Sequence, residues 1–197
     1  MTKNKYSPIL FNTEMVQAIL ENRKKQTRRV TNHPYFSKEE LLEHTLPKYQ
    51  IGDILWVRET FKVAIREYPG KNIPSEKIFL YKATYEPGII LGKIKWEPSI
   101  YMPREAARIF LEVTNVRLER LQDISEADAI AEGVRQHSDY GSTGYVHYGR
   151  PDEALTDIDA VWSFETLWES IKGKESWNKN PFVWVYDFAR VEKPKDF

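Results

Sequence analysis

The chain has 197 residues, contains no cysteine, and carries 29 basic and 29 acidic side chains that cancel. This length fits one domain with a sizeable core, and the neutral balance excludes a whole-molecule field that would drive non-specific binding to nucleic acid or to a membrane. The lack of cysteine excludes disulfides and thiolate metal sites. Because no run of about 18 apolar residues occurs either, we expect a soluble protein of the cytoplasm.

A short strand and a helix open the chain. Residues 7–11 predict the strand, and the two good N-cap residues at 12–13 predict a helix with an apolar stripe. The helix should end near Asn22, because asparagine tolerates the left-handed backbone that often terminates helices. Residues 23–30 are then expected to leave as a turn and an extended segment. This basic segment contains five cations: Arg23, Lys24, Lys25, Arg28 and Arg29.

The middle of the chain predicts strands separated by turns. Residues 38–45 predict a short helix, and residues 54–61 and 77–85 have the β-branched and aromatic content of strands. From Ala107 onward apolar residues alternate strictly, until their parity shifts near residues 114–115. A β-bulge is the simplest cause of such a shift, and it bends a strand as a curved sheet requires.

A second short helix is predicted after this strand. The capping pattern that begins at Ser125 predicts a helix that turns Ala127, Ile130 and Ala131 inward. Gly133 is expected to stop it, because glycine adopts the left-handed backbone without strain.

The last third of the chain predicts a loop, a helix and a strand. Residues 135–155 are polar, have no clear period and are interpreted as a long loop, which in a compact domain is often functional. Residues 156–159 then cap an amphipathic helix, and residues 180–192 alternate as a strand. With four to six strands, three or four short helices and no βαβ rhythm, the sequence predicts an α+β fold on a small curved sheet or barrel.

Several common kinds of site are absent from the sequence. It has no GxxxxGK[ST] phosphate loop and no GxSxG nucleophile elbow. The histidines are scattered and show no ligand spacing: His33, His44, His137 and His147. We therefore expect neither a protein-bound metal nor a cofactor.

The basic segment contains a single hydroxyl side chain, Thr27, with Lys24 three residues before it. A threonine hydroxyl becomes a nucleophile when a neighbouring base takes its proton, and a neutral lysine amine can serve as that base. Close cations and partial burial both lower the pKa of a lysine. The segment therefore admits a reactive site or an anion-binding patch, and a solvated charged turn is the simpler alternative.

Glu132 stands at the C-terminal end of its predicted helix, next to Gly133. The helix dipole disfavours a negative charge there by about 0.3–1 kcal/mol. Such a carboxylate is paired with a cation or has a raised pKa suited to proton transfer, unless it is an exposed glutamate that tolerates the small cost. Glu132 is therefore a candidate acid or base.

Four blocks of the sequence resemble, in order, the ASCH domain, a branch of the PUA-like superfamily. They are ILENRKKQTRR, YQIGDILWV, IFLEVTNVRLERLQDISEADAIAEGV and FVWVYDF. The long form seen here is similar to ASCH proteins of bacteriophages and prophages, and the small bacterial members include N(4)-acetylcytidine amidohydrolases. The resemblance implies one PUA-like domain over residues 1–197, a small β-barrel with flanking helices, with insertions at about 62–106 and 135–180.

In that family a Gly-Arg-Lys-x-x-Thr-x-Arg pattern follows the first helix, and a glutamate ends a later one. Aligned without gaps, the resemblance implies a catalytic set of Lys24, Thr27 and Glu132, with Arg29 at the final arginine of the pattern. Three positions of the segment depart from the family: Asn22, Lys25 and Arg28. The departures and the insertions leave open which acylated base would be the substrate.

The first hypothesis is a hydrolase that removes an acyl group from a modified nucleobase, in a nucleoside or in RNA. Lys24 would take the proton of Thr27, Thr27 would attack the acyl carbonyl, and Glu132 would handle protons or activate water. Trp56 or Tyr145 would stack on the base. The cations that hold a phosphate or the oxyanion would be Arg23, Lys25, Arg28 and Arg29.

The main alternative is a non-catalytic module that binds RNA or DNA through the same cations. In that case Thr27 only forms hydrogen bonds, and Glu132 pairs with a nearby cation. A third hypothesis is an inhibitor or assembly factor that acts through the inserted segments. The expected partner is thus a modified nucleoside or RNA, and no membrane is involved.

Overall fold

The fold is built around one five-stranded sheet that carries helices on both faces. The computed structural model describes residues 5–67, 74–86, 94–139, 142–149 and 159–197. Its helices and strands are, in chain order, β1 (Tyr6–Leu10), α1 (Thr13–Leu20), β2 (Gln26–Val30), α2 (Lys38–His44), β3 (Ile54–Arg58), β4 (Phe61–Arg66), β5 (Glu76–Tyr81), β6 (Phe110–Arg120), α3 (Glu126–Ala131), β7 (Gln136–Asp139), β8 (Ser142–Tyr145), α4 (Ala160–Lys172) and β9 (Phe182–Val191).

The strands of the central sheet lie in the order β1–β3–β6–β9–β2. β1 runs parallel to β3, and the other three neighbouring pairs are antiparallel. β1 and β2 are the edges, and no strand of the described residues joins them, so the sheet is not closed into a barrel. The predicted α+β class is confirmed, whereas the predicted curved barrel is not.

Strand β6 contains the predicted bulge. Its pairing with β9 shifts register between Val113 and Asn115, where the apolar parity of the sequence changes. The shift keeps apolar residues of both parities on one face of the sheet, because Val113 lies opposite Phe188 and Val116 lies opposite Tyr186 in the same cluster. Val113 packs in the cluster around α1, and the buried Leu118 lies beyond the shift.

The two faces of β9 carry separate hydrophobic clusters. Tyr186 and Phe188 pack in the cluster that contains the buried residues of α1. Val183 and Val185 pack in the cluster that contains the buried residues of α3 and α4. The predicted alternation of this strand is therefore confirmed, and helices cover both of its faces.

Helix α3 begins as predicted but turns a different face inward. The Ser125 side chain accepts the N–H of Asp128 at the start of the helix. Ala129 is fully buried, while Ala127 is exposed and Ile130 is 46% exposed. The predicted inward face is wrong at residues 127 and 130, while Ala131 is half-buried. The helix instead directs a charged residue, Asp128, towards the buried Arg28 and the half-buried Arg117.

The segments predicted as insertions contain elements that the sequence patterns missed. Residues 54–61, predicted as one strand, are divided between β3 and β4, and β4 pairs with β5 in a separate sheet. Part of the predicted loop at 135–155 is the hairpin of β7 and β8. Residues 140–141 and 150–155 of that predicted loop lie outside the described residues. The division into one domain with two insertions stays a prediction.

Caps explain where the two long helices begin. The Asn12 side chain accepts the N–H of Met15 at the start of α1, and the Asp159 side chain accepts the N–H of Trp162 at the start of α4. Both starts agree with the sequence prediction, although residues 156–158 of the second cap lie outside the described residues. In the part of the chain that the structure describes, no helix has the length and apolarity needed to cross a bilayer.

Candidate active site

The turn that ends α1 carries Lys24 into the interior. Asn22 has the predicted left-handed backbone, with a φ of 60°. The Lys24 N–H donates to the carbonyl of Ala18, and the Lys25 N–H donates to the carbonyl of Ala131 at the end of α3. Because these bonds fix the backbone between the two helices, the Lys24 side chain points inward and has no exposed surface.

The Lys24 ammonium contacts Glu132 twice. Its Nζ lies 2.7 Å from Glu132 Oε2 and 2.9 Å from the Glu132 carbonyl oxygen. Burial lowers the pKa of Lys24, the Glu132 carboxylate acts in the opposite direction, and the positive charges of Arg29 and Arg28 lower the pKa further. The pairing alternative predicted for Glu132 is therefore the one observed.

Gly133 allows this close approach. It has a φ of 90°, and a methyl group added to it would lie 2.8 Å from Lys24 Cβ and 3.0 Å from Ala18 Cβ. Only glycine fits here, because a side chain would meet both the lysine and helix α1.

Arg28 is the second cation on Glu132. Its Nη1 lies 3.2 Å from Glu132 Oε1, and its Nη2 lies 3.2 Å from one carboxylate oxygen each of Glu119 and Asp128. Arg117 continues the network, since it bridges Asp128 and Asp187. The guanidinium of Arg28 has no exposed surface, and the two cations on Glu132 keep its carboxylate in a fixed orientation.

Thr27 is buried beside this network. It pairs with Tyr186 in the β2–β9 ladder and is 1% exposed. Thr27 and Glu132 line the same cavity of about 30 Å³, together with apolar side chains of α4 that include Phe164 and Trp168. Since one water needs roughly 10–15 Å³ of such space, the cavity holds about two waters and is closed to a nucleobase.

Arg29 joins the buried site to an open cleft. Its side chain lies over Phe11, whose ring also faces Lys24 Nζ at 5.7 Å. Its Nη2 donates to the Leu10 carbonyl at the end of β1, 3.0 Å away. Arg29 lines both the cavity of Thr27 and the cleft, so that it stands between the candidate nucleophile and the solvent.

The open cleft lies between the edge strands β1 and β2. It has a volume of about 440 Å³. Burial raises the pKa of Tyr186 to about 12, so its hydroxyl keeps its proton at neutral pH. The aromatic and cationic side chains in the wall are those of Arg29, His33, Lys48, Tyr49, Trp184 and Tyr186. A planar, anionic or phosphorylated ligand matches such a wall.

The predicted binding cations have very different surroundings. Arg23 pairs with Glu21 and donates to the Gly133 carbonyl, while Lys25 is exposed. Arg29 borders the cleft. Arg28, by contrast, is enclosed by three carboxylates, so that a ligand in solvent does not reach its guanidinium in this structure. The binding roles of these four residues stay predictions.

The aromatic candidates for base stacking differ from those in the cleft. Trp56 is 9% exposed and packs with Phe110 and Phe197, and Tyr145 packs in the cluster of α4. The sequence signal that marks the cleft is the alternation of β9, which places Trp184 and Tyr186 on one face. Among the described residues, no three acidic or histidine side chains gather in a way that would hold a metal ion.

Comparison with known proteins finds similarity in structure. No protein-family model and no curated protein matches the chain. A structure from Lactobacillus crispatus JV V101 is 12% identical, covers 96% of this chain and 81% of its own, and has a TM-score of 0.41. It is an ASCH domain. A protein of Enterococcus faecalis V583, described as DUF984, is 10% identical, covers 98% of this chain and 78% of its own, and has a TM-score of 0.45. These likenesses concern the fold alone.

The blocks that carry the ASCH resemblance in the sequence occupy connected parts of the fold. They contain most of β2, β3 and β9, and the whole run from β6 to α3. These are four of the five strands of the central sheet and both segments that supply Lys24, Thr27 and Glu132. Helix α4, which covers Thr27, lies entirely in a segment that the resemblance treats as an insertion.

Proposed function

We propose that this protein is a hydrolase that removes an acyl group from the exocyclic amine of a modified nucleobase, in a nucleoside or in RNA. The observation that carries the proposal is the buried contact of Lys24 with Glu132, 2.7 Å long, next to a cavity shared by Glu132 and Thr27. A buried lysine with a lowered pKa is a candidate base when a hydroxyl and a carboxylate surround it.

The reaction proceeds in two steps. Lys24, in its neutral form, takes the proton of Thr27 while the Thr27 oxygen bonds to the acyl carbon. The carbon–nitrogen bond then breaks, and the amine of the base leaves with the proton from Lys24. In the second step Glu132 takes a proton from water, which attacks the acyl ester. The acid departs, and the proton returns to the Thr27 oxygen.

The two openings around Arg29 have different roles in this proposal. The base binds in the cleft, where Trp184 offers a ring surface and Lys48 attracts a phosphate. The acyl group passes Arg29 to reach Thr27, and the guanidinium stabilises the oxyanion. Because about 30 Å³ does not hold even an acetyl group together with water, α4 moves outward when the substrate enters.

Replacing Thr27 tests the hydrolase directly. With N(4)-acetylcytidine as the probe, we expect Thr27→Ala to lower turnover by on the order of a thousandfold, measured as release of cytidine. Thr27→Ser, which keeps the hydroxyl, should retain part of the rate. Circular dichroism and urea unfolding check that both variants fold. Turnover by Thr27→Ala at the wild-type rate would overturn the proposal.

A binding module is the second candidate, and the small cavity at Thr27 favours it. A protein that only binds needs the open cleft of about 440 Å³ and no access to Thr27. Binding of single-stranded RNA should then weaken with salt and with Arg29→Gln, but not with Thr27→Ala. RNA binding that is indifferent to Arg29→Gln, or absent, would exclude this candidate.

A further inference from the structure

A second cavity meets Glu132 and is distinct from the cleft between β1 and β2. It has a volume of about 180 Å³ and lies between α1, the turn after α3 and the segment that follows β8. Its wall and the wall of the cavity of Thr27 have three residues in common: Glu132 and the apolar Met15 and Leu167. The buried site is therefore bordered by a further space that the proposed reaction does not use.

The wall of this cavity combines an apolar part with hydrogen-bond donors. Met15, Ala18, Val146 and Leu167 supply the apolar part. The donors are the guanidinium groups of Arg23 and Arg135 and the hydroxyl of Tyr148. Such a wall matches a short aliphatic chain that ends in an anion.

Arg135 and Tyr148 are the donors that remain available. The Arg23 guanidinium already pairs with Glu21 and donates to a carbonyl, while the exposed Arg135 side chain forms no ion pair among the described residues. The Tyr148 hydroxyl accepts the N–H of Arg135, 3.0 Å away. Burial raises the pKa of Tyr148, so its proton stays available for donation.

The acidic side chains around the cavity leave room for an anion. Glu132 is neutralised by Lys24 and Arg28. Glu14, at the exposed start of α1, is the other carboxylate of the wall. Because Arg23 is already paired with Glu21, Arg135 is the cation of the wall with which a ligand carboxylate can pair.

The size of the cavity exceeds what an acetyl group needs. With roughly 10–15 Å³ of such space per water, about 180 Å³ accommodates a chain of several carbon atoms. Four of its wall residues, Arg135, Val146, Tyr148 and Leu167, belong to the segment predicted as an insertion. The space is thus made largely by residues outside the ASCH-like blocks.

We propose that this cavity holds the acyl part of the substrate and that this acyl group ends in a carboxylate, which Arg135 and Tyr148 bind. The inference rests on the hydrolase proposed above and names its substrate class: a base acylated with a short dicarboxylic acid. The base lies in the cleft, the scissile carbonyl lies at Thr27, and the acyl chain runs past Glu132 towards Arg135.

Three cytidines that differ only in their N(4)-acyl group test the substrate class. N(4)-succinylcytidine and N(4)-butyrylcytidine have acyl chains of the same length and differ in the terminal carboxylate, and N(4)-acetylcytidine lacks the chain. We expect kcat/KM to be about tenfold higher for the succinyl than for the butyryl probe, since a charged hydrogen-bonded pair is worth about one factor of ten or more. Equal values would overturn the inference.

Variants of the cavity locate the effect. Arg135→Gln should abolish the preference for the succinyl probe, and Tyr148→Phe should reduce it. Arg66→Gln is the matched control, because Arg66 is an exposed arginine of β4 that lies in the wall of neither cavity nor of the cleft. A succinyl preference that survives Arg135→Gln would place the carboxylate elsewhere and refute the assignment.

Binding of free succinate separates this inference from the hydrolase. Calorimetry should detect succinate binding to the wild type that Arg135→Gln weakens about tenfold. If succinate binds in this way but no acylated cytidine is cleaved, the cavity is confirmed as an anion site and the hydrolase fails. If acetylcytidine is cleaved but succinate does not bind, the cavity inference fails and the hydrolase stands.

Discussion

Two buried glutamates of this protein have cation partners, and they differ in what those partners can do. Glu59 is 1% exposed and Glu132 is 3% exposed. The Arg108 guanidinium donates one hydrogen bond of 2.8 Å to each carboxylate oxygen of Glu59, and it stacks on the ring of Tyr81. An arginine does not release a proton at physiological pH, so Arg108 cannot act as a base towards a neighbouring hydroxyl.

Glu132 divides its two oxygens between different cations. Oε2 contacts Lys24 and Oε1 contacts Arg28. Lysine can lose its proton when burial penalises its charge, and the threonine hydroxyl lies in the adjoining cavity. Burial alone therefore does not mark a reactive carboxylate. A partner that can exchange a proton and a neighbouring threonine hydroxyl are the features that set Glu132 apart.

Removing the two carboxylates should give the largest contrast in stability. Glu132→Gln leaves the buried Lys24 without its carboxylate and removes one of the three carboxylates around Arg28. Breaking a buried pair in this way costs about 3–5 kcal/mol. Glu59→Gln should cost less, because the Arg108 side chain is 29% exposed and can turn to water. Urea unfolding measures both losses. Equal losses would mean that the two pairs are alike in their solvation.

Activity sharpens the same contrast. Deacylation should be lost in Glu132→Gln and kept in Glu59→Gln when both are assayed below their unfolding temperatures. Loss in both variants would indicate that either pair acts through stability alone.

A smaller effect is expected from adding one methyl group at a glycine. Gly133→Ala meets both the strain of a positive φ and the Lys24 side chain, and we expect it to lower the free energy of unfolding by about 2–3 kcal/mol. Gly52→Ala is the matched control, because Gly52 has a φ of 88° and open space around it. The loss of stability at Gly133 beyond that at Gly52, measured by urea unfolding, reports the steric contacts of the added methyl group with Lys24 and Ala18. Equal losses would show that these two side chains move aside without a free-energy cost.

The dependence on pH should be the most subtle difference. Burial lowers the pKa of Lys24, so between the folded and the unfolded pKa the unfolded chain binds more protons and stability rises with pH. This rise should be missing in Lys24→Met and present in Arg108→Met. Urea unfolding over the alkaline range measures it. A wild-type stability that stays flat or falls there would contradict a lowered Lys24 pKa.

The sequence predicted the backbone around the site better than the side-chain network. Asn22 as the end of α1 and the bulge after Val113 follow from local rules, and both are confirmed. The inward face of α3 was wrong, because a helix of six residues has too few turns for its apolar pattern to outweigh the ion pairs of Asp128 with Arg28 and Arg117.

Contacts between distant segments were beyond local patterns. Arg28 meets carboxylates 91 to 104 residues away in the chain, and no spacing rule connects them. The hairpin of β7 and β8 was missed because its polar, glycine-containing sequence resembles a loop, and its pairing compensates for weak strand propensity. The ASCH-like blocks placed Lys24 and Glu132 in one set, and these two side chains contact each other in the structure.

The placement of the two edge strands has a consequence for self-association. Unpaired strand edges are templates on which other chains add, and proteins protect them. Here β1 and β2 flank one cleft, and Arg29 holds the end of β1 through the Leu10 carbonyl. Each edge thus shields the other from a neighbouring molecule.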